Sequence, residues 1–233
     1  MITKDKLIKK FKKRDTVNFN TLLGPMVISK EKKIIYFHIA KTGGSSIVKL
    51  LRENKCDDLV LSNRAVSEKD KFYYFDEVAE NWDQYYKFTF VRNKFSQLVS
   101  LYHYDLQGGH LSDFTKNKSG NVHATFDDFI RYYVQPSKDE LYDYWIDQHF
   151  LTTIDNSNIF DFVGRFENYK SDIKKVCKRL NLTYEDYREN IGKYSKEKNI
   201  AKYYTQDLEK IVRNKFNHEF EMFNWNISDN KSK

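Results

Sequence analysis

The apolar run Ile34-Ile-Tyr-Phe-His-Ile-Ala40 stops at Lys41-Thr-Gly-Gly-Ser-Ser46, and an amphipathic pattern, Ile47-Val-Lys-Leu-Leu51, follows at once. A buried strand, a tight glycine turn and a helix start in that order leave few folds open. The turn must bring backbone close to something, because two glycines remove Cβ where the chain bends. The helix start then offers unpaired N–H groups and the positive end of its dipole. Lys41 adds a cation, and Thr42, Ser45 and Ser46 add hydroxyls. These features describe a phosphate cradle built from Lys41, Thr42, Gly43, Gly44, Ser45 and Ser46. The order is not that of a Walker A loop, in which Lys follows the glycines. Here Lys41 precedes Gly43 and Gly44.

A second strand-to-helix segment reads Lys87-Phe-Thr-Phe-Val-Arg92-Asn-Lys-Phe-Ser-Gln-Leu-Val-Ser100-Leu-Tyr102. Arg92 stands where the strand should end. Ser100 falls about two helical turns further on. An Arg fork with a hydroxyl suits one further phosphate group. Two anion sites on two neighbouring strand–helix units fit a nucleoside bearing phosphates at both ends.

These segments resemble those of a sulfotransferase family that includes the heparan sulfate 2-O-sulfotransferases and small bacterial members. His38 to Ser46 is similar to the family's H-I-P-K-T-G-G-T-S, and Phe90 to Tyr102 to its F-V-R-N-P-x-x-R-L-V-S-x-Y. Asp161 to Asn168, Tyr203-Tyr204-Thr205 and Glu219 to Trp225 also resemble family segments, so the likeness runs from about Ile34 to Trp225. The resemblance implies 3′-phosphoadenosine-5′-phosphosulfate (PAPS) as sulfuryl donor and a hydroxyl acceptor, on a carbohydrate. Lys41 to Ser46 would hold the 5′-phosphosulfate, and Arg92 with Ser100 the 3′-phosphate. Lys41 would be catalytic, stabilising negative charge on the departing bridging oxygen. No metal is expected, since no His/Cys/Asp cluster has ligand spacing.

The chain departs from that pattern in three places. Lys94 stands where the family has Pro, and Gln97 where it often has Arg. No His occupies the family's usual general-base position, which here reads Asp70-Lys-Phe-Tyr-Tyr-Phe-Asp76-Glu77. Asp70, Asp76, Glu77, His103, His110 and His123 are all candidates for the proton acceptor. His38 itself reads as a hydrogen-bonded core residue, and Glu167 as a residue that orders its turn. Two further functions stay open: a catalytically weak nucleotide-binding protein of the same fold, and a P-loop kinase, which would need Mg²⁺ and an acidic ligand after a strand.

A chain of 233 residues supports one α/β domain, with residues 1–30 as a basic N-terminal extension. The expected architecture is a P-loop-like parallel sheet flanked by helices, with a helix-rich C-terminal half; only 8 Gly and 2 Pro argue for a helix-rich chain. The expected helices are Ser45 to Asn54, Asp76 to Tyr85, Lys94 to Leu106, Phe126 to Val134, Ser137 to His149, Lys170 to Leu180 and Thr205 to Asn217. The third strand is expected at Ile159 to Val163. Residues 107–124 read as a substrate-facing loop or a disordered insertion, and 193–198 as a polar loop that the resemblance places over the nucleotide. Leu7, Ile8 and Phe11 make a thin apolar stripe on a basic helix that would dock by it.

No apolar run reaches the ~18 residues of a membrane span, and Met1 to Arg14 lacks the apolar core of a secretory signal. With Cys56 and Cys177 far apart and expected as free thiols, the expected setting is the cytoplasm of a bacterial or viral system. The net charge of +7 suits an anionic cofactor and an anionic acceptor. No recognised nucleic-acid motif accompanies it.

Overall fold

The computed structural model describes residues 3–7, 26–57, 59–60, 77–106, 125–135, 147–187 and 199–227. Their contacts gather into two compact units. One comprises Met1–Val91 with Tyr144–Glu189, the other Arg92–Asp143 with Asn190–Lys233.

The first unit is built on a five-stranded sheet. Its strands are β1 (Met26–Ser29), β2 (Ile34–Phe37), β3 (Leu59–Val60), β4 (Tyr86–Val91) and, after a two-stranded hairpin of β5 (Thr153–Ile154) and β6 (Ser157–Asn158), β7 (Phe162–Arg165). Their order is β3-β1-β2-β4-β7. The centre is parallel: Phe37 pairs with Thr89, and Val91 with Arg165. β1 and β3 add an antiparallel edge, and β1 begins inside the stretch expected as an extension. Parallel neighbours need a crossover, and helix α1 (Gly44–Glu53) lies in the first of these.

Helix α5 (Tyr169–Leu180) follows β7 through a 3-10 turn, Phe166–Asn168. The inward faces of α1 (Ile47, Leu50, Leu51) and α5 (Ile173, Val176, Cys177) share one core with Val27, Ile34, Tyr36, Phe88 and Phe90 of the sheet. Alternate strand residues reach that core because successive side chains leave opposite faces of a pleat. The two cysteines are free and buried in it.

The third strand starts later than expected. The Asp161 carboxylate accepts from the Lys87 N–H at 2.7 Å and pairs with the Lys87 ammonium at 3.0 Å, its own N–H donates to the Lys87 carbonyl at 2.8 Å, and the paired strand runs from Phe162. The helix expected over Asp76 to Tyr85 is also cut short. Residues 77–80 are helical, but the Asn81 side chain donates to the Glu77 carbonyl at 2.9 Å, and a 3-10 turn, Trp82–Gln84, follows. Such local side-chain bonds compete with helix propagation. A helical turn at residues 4–7 buries Leu7 completely, as the apolar stripe implied; Ile8 and Phe11 lie outside the described residues.

The second unit holds α2 (Lys94–Leu106), α3 (Phe126–Asp128) running on as a π-helical turn (Phe129–Val134), and a 3-10 turn (Ile200–Tyr203). Helices α6 (Gln206–Lys215) and α7 (Asn217–Phe223) close it; α4 (Gln148–Thr152) belongs to the first unit. Thr125 and Asp128 form the expected capping box. Thr205 caps α6 by accepting from the Leu208 N–H. The single helix expected from Thr205 to Asn217 breaks at Phe216, after which α7 begins. An aromatic cluster of Phe95, Tyr102, Phe126, Phe129, Tyr203 and Tyr204 packs largely edge-to-face. Residues 107–124 and 188–198, with their expected loops, lie outside the described residues.

Candidate active site

The loop that leaves β2 doubles back through an uncommon backbone. Lys41 takes φ 64 and Gly43 φ 85, with Thr42 on the ordinary side between them. A lysine in the left-handed region is rare and is tolerated where the surroundings hold it there. Alternating left- and right-handed residues turn successive N–H groups toward one side, the concavity known to bind anions. Gly43 is the N-cap of α1 and brings no side chain to the first turn, and no acidic residue stands there.

Each glycine has a steric reason. A Cβ on Gly43 would come within 3.2 Å of the Phe166 ring and 3.3 Å of Tyr169. On Gly44 it would lie 1.8 Å from Cδ2 of His38. The His38 imidazole therefore rests on the Gly44 backbone, with its other neighbour the Tyr36 ring, stacked at 6.1 Å. No hydrogen bond to a described residue holds it, in contrast to the expectation of a hydrogen-bonded core histidine. Burial, and next the charge of Lys41, lower the His38 pKa to about 4. The ring is neutral at physiological pH and weakly basic.

The hydroxyls of the cradle divide their work. Thr42 is fully buried and donates to the Ile39 carbonyl at 2.8 Å, bracing the turn. Ser46 is nearly buried and shares a hydrogen bond with the Tyr169 phenol, whose pKa is raised first by burial and then by Tyr184. Ser45 instead lines an open cleft of about 450 Å³ with His38, Val48, Lys49, Arg52 and Glu53. The loop is thus gripped by Phe166 of the 3-10 turn and Tyr169 of α5, two residues absent from the sequence-derived site. Asp172 fixes that corner: its carboxylate accepts from the Arg165 N–H at 2.9 Å and from Lys175 at 2.7 Å. The sequence signal was Asp172 as the one acidic residue in the first turn of an otherwise basic helix.

Arg92 and Ser100 belong to the second unit, whereas Lys41 to Ser46 belong to the first. Arg92 follows β4 directly, and its Nε donates to Ser96 Oγ at 2.8 Å. Ser100 is partly buried on α2. Among the candidate bases, His103 is buried and its Nε2 lies 2.7 Å from the Tyr203 hydroxyl. Glu77 pairs with Lys30 at 2.5 Å. Asp70, Asp76, His110 and His123 lie outside the described residues. Among the described residues no group of three or more His, Cys, Asp and Glu is placed to hold a metal ion, and no helix is long and apolar enough to cross a membrane.

A sheet with a parallel centre, flanked by helices and with a glycine turn and an uncapped helix start in its first crossover, defines a mixed α/β protein. The chain belongs to the sulfotransferase family, whose profile matches residues 24–226. Comparison with curated proteins and with solved structures finds no match. Family membership makes the chain a transferase that moves a sulfuryl group to a hydroxyl-bearing acceptor.

Proposed function

We propose that the sulfuryl donor is PAPS and the acceptor a carbohydrate hydroxyl, handled by one domain spanning residues 1–233. The observation that carries the donor assignment is the left-handed Lys41–Gly43 turn opening into the N-terminus of α1. Backbone N–H groups there are suited to a terminal phosphosulfate. The donor supplies an activated sulfur that passes from a phosphate oxygen to the acceptor oxygen. Lys41 opposes the negative charge left on that phosphate oxygen, a preorganised cation meeting charge as it develops. His38, uncharged beside it, neither repels Lys41 nor competes for the anion. Arg92 and Ser100 are assigned to the 3′-phosphate. That assignment rests on the residue types, an Arg fork with a hydroxyl about two helical turns further on.

The acceptor is assigned to the cleft that starts at Ser45 and runs along α1. Its volume lies in the range of small-ligand sites. Its wall alternates Ser45, Lys49, Arg52 and Glu53 with Val48, donors and an acceptor around one apolar patch, which suits a sugar's ring of hydroxyls. The proton released by the acceptor passes to a base that stays open among Asp70, Asp76, Glu77, His103, His110 and His123. The setting remains assigned to the cytoplasm of a bacterial or viral system.

Lys41→Ala tests the catalytic assignment. Its turnover with PAPS should fall by at least about 10²-fold while the far-ultraviolet dichroism stays that of the parent. A variant turning over at the parent rate would remove Lys41 from the mechanism.

A further inference from the structure

The start of α2 is braced more heavily than a helix start requires. Lys94, the first residue of α2, is completely buried, and so is Glu219 in the first turn of α7; Nζ and Oε1 are 2.9 Å apart. The Lys94 ammonium also donates to Gln97 Oε1 at 2.7 Å and stands 4.3 Å from the centre of the Phe216 ring. A cation in the first turn opposes the helix dipole. Burying it with a carboxylate carries a desolvation cost that two well-packed apolar residues would avoid. Stability alone therefore does not account for the pair, whereas fixing a position does.

What it fixes is the segment beginning at Arg92. Arg92 Nε donates to Ser96 Oγ at 2.8 Å, and Ser96 Oγ donates to the Asn93 carbonyl at 3.1 Å. Asn93 Oδ1 accepts from the Phe95 N–H, and Asn93 Nδ2 donates to the Asn226 carbonyl at 2.7 Å. The Tyr204 hydroxyl donates to the Phe95 carbonyl at 2.9 Å. Three of these ties, through Tyr204, Glu219 and Asn226, lead into the last part of the chain, all within the same unit. We propose that the buried Lys94–Glu219 pair and the Ser96 hydroxyl are a positioning device for the Arg92 guanidinium, through which the C-terminal helices set the protein's selectivity for a 3′-phosphate. The proposal rests on the assignment of Arg92 to that phosphate.

The test is isothermal titration of adenosine 3′,5′-bisphosphate and ADP into four proteins: the parent, Arg92→Ala, the double variant Lys94→Met with Glu219→Leu, and Ser96→Ala. Urea unfolding of each is followed alongside. The double variant leaves no lone buried charge, and Ser96→Ala removes one oxygen atom from a helix. In both, the ratio of the two dissociation constants should fall by roughly tenfold, the scale expected when a clamp is misaimed, with a cooperative unfolding transition retained. A parent-like ratio in Ser96→Ala or in a folded double variant would overturn the positioning role. Loss of the ratio in Arg92→Ala but in neither of the others would overturn it while sparing the Arg92 assignment. A ratio unchanged in Arg92→Ala would overturn the assignment, and the positioning role with it.

Discussion

Gly44 and His38 occupy one small volume, and that contact governs the cradle. The ring is rigid, so a methyl 1.8 Å from Cδ2 cannot be absorbed without moving the loop. Gly44→Ala should cost about 1–3 kcal/mol by urea unfolding, the usual penalty of overpacking. Combining it with His38→Ala should cost less than the two single losses added together, the mark of coupled sites. Strict additivity would deny the contact. His38 also predicts a pH dependence. Its folded pKa of about 4 lies below its unfolded value of ~6.5. Between these values the unfolded chain holds the extra proton, so stability falls as pH drops through that window, by at most roughly 3 kcal/mol. The part of the pH–stability slope due to His38 should vanish in His38→Gln; an identical slope in both proteins would show the ring does not titrate there. At this scale the sequence showed Lys41 and the glycine pair as a tight turn between a strand and a helix. It could not show His38 lying on Gly44, because that contact depends on the left-handed turn at Lys41, which no residue preference announces.

Helices were more legible than strands. α1, α2 and α5 fall within a residue of the apolar periodicity that foretold them, since amphipathic helices carry their partner face in the sequence. The short edge strands β1 and β3 have no such mark and exist through pairing with neighbours distant in sequence. At the start of β7, Asp161 ties to Lys87 through both its backbone N–H and its carboxylate, a long-range contact that the sequence pattern does not mark. The α5 corner rests on Asp172, 6% exposed. Asp172→Ala would leave the Arg165 N–H without that acceptor, and should lower stability by about 1–3 kcal/mol, with Asp172→Asn lowering it less. Equal stability of Asp172→Ala and the parent, by thermal or urea unfolding, would mean that the corner is held by packing alone.

For the molecule as a whole, a net charge of +7 and an anionic donor imply binding that weakens with salt. Charge sets attraction, however, and not identity; under the proposed function, identity lies in which phosphates the two strand–helix turns distinguish. The family match spans the segments carrying both turns, which explains why the class was readable from motifs alone. The cleft beside α1 was not readable, since its lining joins one face of that helix to the strand end at His38. The most direct test of the account is calorimetric titration of the whole chain with adenosine 3′,5′-bisphosphate, beside ADP and ATP, with and without Mg²⁺. The account predicts tight binding of the 3′-phosphorylated nucleotide, unchanged by metal and weaker for the other two. No binding, or a Mg²⁺-dependent preference for ATP, would contradict it.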